Sequence, residues 1–94
     1  MFDRILKRIR EKVRTRDYII TLHADDEMDD DDLMVFDVEH VLLTGHMLER
    51  QQDRETDEWK YLVGGQTLDG ERDVVVVIKF TPTGKLMWLT VYVE

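Results

Sequence analysis

The period of the apolar residues changes at Gly45, and this change constrains the fold more than any other feature of the chain. Before Gly45 apolar side chains recur every three to four residues, the period of an α-helix, and after it they alternate, the period of a β-strand. A chain of 94 residues is long enough for one hydrophobic core and too short for two. The sequence therefore predicts a single α+β domain over residues 1–94, in which helices precede a sheet.

Three segments before Gly45 are predicted to be helical. The first has one apolar stripe beginning at Phe2, with basic residues on its other faces. The second has Ala24 and Met28 four residues apart, and the third repeats valine at helical spacing until Gly45 ends it. The β-branched segment 18–22 is interpreted as an extended link or a first strand. The predicted helices span about residues 2–15, 23–30 and 35–44.

Four strand candidates follow Gly45, separated by segments rich in turn-forming residues. The run of four valines at 74–77 predicts a strand that is buried on both faces. The connectors are only three to five residues long, which favours an antiparallel meander. The predicted fold is therefore N-terminal helices packed on one face of a four-stranded antiparallel sheet. The four candidates are HMLERQ, EWKYLVGGQTL, DVVVVIKF and KLMWLTVYVE.

The net charge of −8 is unevenly distributed along the chain. Residues 1–17, a basic amphipathic helix, hold seven basic and three acidic residues, a local charge of +4 that leaves −12 for the remainder. Such a helix contacts RNA or an acidic partner, or is simply a solvated surface. Arg4 and Arg8 are its candidate RNA-binding residues. The acidic remainder repels phosphate, which disfavours dense, sequence-independent binding of nucleic acid.

The composition excludes several classes of protein. The chain has no cysteine, which excludes a disulfide scaffold, a thiolate zinc site and a cysteine nucleophile. No apolar stretch approaches the length of a membrane span, and the N-terminus lacks the apolar segment of a secretion signal. We therefore expect a cytoplasmic protein that does not interact with membranes.

Seven acidic residues occupy the eight positions from Asp25 to Asp32, a segment that we name the acidic run. It lacks the alternating ligands, the central glycine and the terminal glutamate of an EF-hand. The histidines at 23, 40 and 46 do not have the spacing of a zinc site. We therefore expect no metal and no cofactor, and interpret the acidic run as a solvated surface whose like charges repel one another.

An ordered set of short motifs is more specific than any of these features. Thr21-x-His23-Ala24 precedes Met28, Asp37-Val38-x-x-Val41-Leu42 precedes Gly45, and the last predicted strand contains Thr90-Val91-Tyr92. This order, over about residues 18–93, resembles the family catalogued as domain of unknown function 4258. The resemblance implies a fold related to that of RelE-like ribonuclease toxins and a role connected with toxin–antitoxin systems.

The chain departs from the family pattern in the acidic run. Where the family carries arginines around the histidine–alanine motif, this sequence has Glu27 directly before Met28, and aspartates at 30 and 31. An arginine stabilises the charge of a phosphate undergoing cleavage, whereas a carboxylate at the same place repels it. The departure predicts that the activity implied by the resemblance is weak or absent.

Cleavage of RNA without a metal requires a base, an acid and a cation. His23 is the candidate acid or base, Lys60 or Arg50 the candidate cation, and Thr90 or Tyr92 the candidate hydrogen-bond donor. The predicted catalytic residues are therefore His23, Lys60, Thr90 and Tyr92, and the predicted RNA-binding residues are Arg4, Arg8 and Arg50. Each also has a structural alternative, as a local capping residue, an exposed strand residue or a sheet former.

Three functions from different classes follow from the sequence. The favoured one is a non-catalytic or weakly active relative of the toxins, serving as a module that binds a partner protein or RNA. The alternative is a metal-independent ribonuclease toxin that uses His23 as general acid or base. The third is a self-assembling domain, such as a homodimer, that uses its long final strand as an edge.

Overall fold

The structure, a computed structural model, describes residues 3–94, so that the predicted role of Phe2 lies outside the described residues. It contains three helices and five strands. Each helix lies within two residues of its predicted position. In chain order the elements are α1 (Asp3–Arg14), β1 (Tyr18–Ile20), α2 (Leu22–Asp30), α3 (Val35–Thr44), β2 (His46–Gln52), β3 (Trp59–Gln66), β4 (Asp73–Phe80) and β5 (Leu86–Val93).

Side chains and backbone groups next to the helices fix where they begin and end. The Thr21 hydroxyl accepts a hydrogen bond from the Ala24 N–H at 3.1 Å and starts α2. At the start of α3, the Asp37 carboxylate accepts from the Met34 N–H at 3.1 Å. Gly45 ends α3, and its N–H donates to the Val41 carbonyl at 2.8 Å. These local interactions explain why the helix boundaries could be predicted from the sequence.

The strands form one sheet in the order β1-β5-β4-β3-β2. Strands β2 to β5 are the predicted antiparallel meander. The prediction of a four-stranded, wholly antiparallel sheet was nevertheless wrong, because β1 adds a fifth strand parallel to β5, with Tyr18 opposite Leu86 and Ile20 opposite Trp88. A strand of three residues has too little periodicity to reveal its partner, and this partner lies more than sixty residues away in the chain. The sheet is therefore mixed.

The helices cover one face of the sheet and form the core there. On that face Trp88 is fully buried, and the Tyr18 ring stacks on it with 4.4 Å between ring centroids. The helices contribute the buried residues Ile9, Val13, Ala24, Met28, Val38, Val41 and Leu42, and the sheet contributes Val63, Val74, Val76, Ile78, Leu86, Trp88 and Val91. None of the helices described between residues 3 and 94 is both long and apolar enough to cross a bilayer.

The opposite face of the sheet is also apolar, and we name it the uncovered face. Its centre consists of Leu62, Val75, Val77, Thr90 and Tyr92, which alternate along their strands with residues of the core. Val75 is buried as predicted, but Val77 is only half-buried. The prediction that this strand is buried on both faces is therefore met only in part, since the buried side chains of the described helices lie on the other side of the sheet.

Candidate functional site

The predicted acid or base, His23, lies where α2 meets the edge of β5. Its Nε2 atom is 3.2 Å from Oε1 of Glu27, one helical turn further on, and its side chain is 70% exposed. The same Glu27 oxygen accepts a hydrogen bond from the backbone N–H of Val91 at 3.1 Å. A single carboxylate oxygen therefore joins the imidazole to the backbone that links Thr90 and Val91.

These contacts close the edge of β5 beyond the short strand β1. The Thr21 N–H donates to the Trp88 carbonyl at 3.2 Å, which continues the pairing begun by β1. The Thr21 hydroxyl also donates to the Trp88 carbonyl, at 2.9 Å. Glu27 then accepts from Val91, at a position that no strand described between residues 3 and 94 pairs with on this side. Unpaired strand edges invite association with other chains, and here Glu27 occupies that edge.

The register places Lys60, Thr90 and Tyr92 on the uncovered face. Thr90 lies opposite Val77, which in turn lies opposite Leu62, two residues beyond Lys60 on β3. Strand β4 separates β3 from β5, so that the backbones of Lys60 and Thr90 are about 10 Å or more apart. The Lys60 ammonium lies 4.0 Å from the Asp53 carboxylate. The structure thus brings His23 close to Thr90, and leaves Lys60 two strands away.

The predicted RNA-binding residues lie elsewhere. Arg50 is opposite Tyr61 and therefore on the other face of the sheet from Lys60, with its guanidinium 4.3 Å from the centre of the Trp59 ring. The Arg8 guanidinium lies 4.0 Å from the centre of the Phe80 ring. Arg4 is exposed on α1. Arg8 and Arg50 thus pack on aromatic rings, where part of each guanidinium plane is already occupied.

A cleft of about 400 Å³ between the end of α3 and the sheet was not predicted from the sequence. Three glycines line it, Gly45, Gly64 and Gly65, and we name it the glycine cleft. A Cβ atom on Gly45 would overlap the carbonyl of Gly64, and one on Gly65 would lie 3.1 Å from the Gly45 Cα. The signal in the sequence was the pair Gly64-Gly65 inside a strand pattern, which marks a close approach of backbone. The residues around the cleft include His40, His46, Gly64, Gly65, Asp73 and Glu94.

Two ionisable groups that join β1 to its surroundings have shifted pKa values. Hydrogen bonds from Lys85 and from Lys12 lower the pKa of the Asp17 carboxyl below its ordinary value. Burial, followed by the hydrogen bond that its hydroxyl donates to Glu39 at 2.6 Å, raises the pKa of Tyr18 to about 12. Within residues 3–94 no group of three or more histidine and acidic side chains is arranged to hold a metal ion.

Comparisons with known proteins agree with the motif order. The family model described as a domain of unknown function (DUF4258) matches residues 20–93. The searches of curated proteins and of solved structures gave no match. The similarity to RelE-like toxins therefore stays a prediction. Because the matched segment spans more than half of the chain and contains α2, α3 and all strands from β2 to β5, the chain belongs to the domain of unknown function 4258 family.

Proposed function

We propose that this protein is a non-catalytic binding module whose uncovered face packs against a basic partner protein. The observation that carries the proposal is the apolar character of a sheet face on which none of the described helices packs its buried side chains. Leu48 is 51% exposed and Tyr92 38% exposed on this face, and Ile19 at its edge is 41% exposed. Apolar side chains exposed on a sheet face that no described helix covers are characteristic of interaction sites in soluble proteins.

The dimensions of the uncovered face suit a protein partner. Four strands of seven or eight residues and the three-residue β1, at about 4.8 Å spacing, give a surface of roughly 20 by 25 Å at its widest. A standard interface buries about 800 Å² on each partner, which this surface and its rim can supply. At the centre of such a surface a few side chains contribute most of the binding energy, and tyrosine, here Tyr92, is among the residue types enriched there.

The charges on the uncovered face favour a protein over RNA. Its two central lysines are both close to carboxylates, Lys60 with Asp53 at 4.0 Å and Lys79 with Glu58 at 2.8 Å. Binding of the phosphate backbone depends on cations that are available to replace its counterions. Lysines already balanced by carboxylates provide little of that attraction.

The overall charge favours a basic partner over a second copy of this chain. The protein carries −8, and all but its first seventeen residues together carry −12. The acidic run lies in and directly after α2, which packs along β5 on the covered side of the sheet. Two copies meeting through the uncovered face would repel each other, whereas a basic protein would be attracted and oriented.

Site-specific crosslinking followed by titration tests the proposal. A photoreactive amino acid at Leu62, on the uncovered face, should crosslink a basic protein in cells that produce this chain, whereas the same group at the exposed Phe36 of α3 should not. The captured protein is then purified and titrated into the wild type by calorimetry. Val77→Lys should weaken binding by at least about tenfold, and Phe36→Lys, which adds the same charge on the helical side, should leave binding unchanged.

Two results would overturn the proposal. Equal weakening by Val77→Lys and Phe36→Lys would place the partner elsewhere or reduce the interaction to net charge. A stable dimer in sedimentation experiments on the protein alone, dissociated by Val77→Lys, would identify a second copy as the occupant. A monomer is expected.

One observation favours the alternative, metal-independent cleavage of RNA. His23 contacts a carboxylate that accepts a hydrogen bond from the backbone N–H of Val91, the residue after Thr90. Of the predicted cations, Lys60 lies two strands away from Thr90 and Arg50 lies on the other face of the sheet, and Glu27 stands where the family pattern carries an arginine. Purified protein incubated with RNA and EDTA should cleave no more than His23→Ala does. Cleavage by the wild type that is lost in His23→Ala would overturn the non-catalytic proposal.

A further inference from the structure

We infer that the glycine cleft binds an arginine side chain of the partner protein. This inference rests on the proposed function, because it assigns a specific contact to the partner that packs on the uncovered face. The cleft has a volume of about 400 Å³, within the range of about 300–1,000 Å³ that is usual for small-molecule sites. A single long side chain together with water molecules therefore fits inside it.

The glycine cleft is continuous with the uncovered face. Leu48 and Gly64 line the cleft, and the register places Gly64 opposite Val75, at the centre of that face. A Cβ atom on Gly64 would lie 2.7 Å from the Leu48 Cδ1, so that the leucine side chain lies directly over the glycine. A partner seated on the uncovered face can therefore extend one side chain past Leu48 into the cleft.

The polar groups of the cleft are predominantly acceptors. Asp73 and Glu94 supply two carboxylates, Gln66 an amide oxygen, and His40 and His46 imidazoles that accept one hydrogen bond each when neutral. Among residues 3–94, the structure shows no hydrogen bond or ion pair made by the side chains of Asp73 or Glu94. Thr44 and Gly45 at the C-terminal end of α3 also line the cleft, where the Gly45 carbonyl already accepts a hydrogen bond from Arg10 at 2.9 Å.

Arginine fits this arrangement better than other cations do. Its guanidinium has five donors in a planar fork, which suits several acceptors spread around a cleft, whereas lysine concentrates its charge on one atom. Leu48 and Val74, which line the cleft, provide apolar contacts for the methylene stem. Arg10 is not among the lining residues, because it approaches α3 from α1 and donates to the carbonyls of Leu42 and Gly45.

Nuclear magnetic resonance titration of the isotope-labelled protein tests the inference without the partner. The probe is N-acetyl-L-arginine amide, and its neutral isostere N-acetyl-L-citrulline amide is the matched control. With the arginine probe we expect saturable chemical-shift changes at residues 44–46, 64–66, 73 and 94. The affinity for the citrulline probe should be lower by about tenfold or more, because its hydrogen bonds to the carboxylates are no longer made by a charged donor. Shifts scattered over the surface, or equal affinity for both probes, would overturn the inference.

A pair of double variants separates specific recognition from attraction by net charge. Asp73→Asn with Glu94→Gln should abolish saturable binding of the arginine probe. Asp29→Asn with Asp30→Asn changes the net charge by the same amount in the acidic run and should leave binding intact. Equal loss in both double variants would contradict the assigned site. The Val77→Lys variant should still bind the arginine probe, so that a failure of the cleft and a failure of the uncovered face are distinguishable.

Discussion

Replacement of Glu27 by alanine is expected to destabilise the protein by more than its position on the surface of a helix suggests. The carboxylate accepts a hydrogen bond from the N–H of Val91, a residue that is completely buried. Leaving that donor without a partner costs about 1–3 kcal/mol. Loss of the largely exposed contact with His23 adds at most about 1 kcal/mol. A total of about 2 kcal/mol corresponds to a melting temperature lower by roughly 10 °C in a domain of this size.

Urea denaturation followed by tryptophan fluorescence measures the effect, because Trp88 is fully buried in the core. Glu27→Gln is the matched control, since the glutamine amide oxygen still accepts the hydrogen bond from Val91. The free energy of unfolding of this variant should fall by less than about 1 kcal/mol. Glu27→Arg, which restores the residue type of the family pattern, has no acceptor and should behave like the alanine variant. Equal losses in Glu27→Ala and Glu27→Gln would show that the hydrogen bond to Val91 contributes nothing, and would refute the reasoning.

Three further predictions concern other parts of the molecule. The pKa of Tyr18 is about 12 in the folded protein, above its ordinary value of 10.0, so the tyrosine contributes stability that is present below pH 10 and is lost as the pH rises to 12. Tyr18→Phe lacks the titrating hydroxyl, and its free energy of unfolding, measured by urea titration, should therefore fall less between pH 10 and 12 than that of the wild type. The melting temperature should rise between about 0.05 and 0.5 M NaCl, because salt screens the repulsion within the acidic run. The rise should be smaller in the Asp29→Asn, Asp30→Asn double variant. A fall with added salt would indicate that attractive charge pairs dominate instead. Gly45→Ala places a methyl group against backbone and should lower the free energy of unfolding by about 3 kcal/mol, measured by chemical denaturation. Gly84→Ala is the control, because Gly84 has a φ of +88° but open space around it, and it should lower the free energy of unfolding by about 1 kcal/mol. Equal losses would contradict the close approach at Gly45.

The helices and the meander were predictable because their signals are local. Thr21 and Gly45 act within four residues of themselves, as the start of α2 and the end of α3. Alternation along β3, β4 and β5 and the short turns between them determine that consecutive strands pair antiparallel. The pairing of β1 with β5 was not predictable, because it depends on a core that forms only when α1 and α3 have packed on the sheet.

The candidate site was predictable only as a set of residue types. Alternation correctly indicated that Thr90 and Tyr92 share a face, but the position of Lys60 depended on the register of three strands. The contact of Glu27 with Val91 depends on how α2 lies along β5, and no feature near position 27 encodes it. Glu27 therefore appeared from the sequence only as a replaced arginine, whereas in the structure it also closes the edge of the sheet.

By itself, the sequence determined the three helices, the four strands after Gly45 and the membership of the family, since each follows from spacing and residue type along the chain. Only the tertiary structure decided that the sheet is mixed, that one apolar face is left uncovered, and that Gly45 and Gly64 meet beside a cleft. The physical reason is the separation of the partners. Glu27 and Val91 are 64 residues apart in the chain, and their contact exists only once the core between them has brought α2 and β5 together.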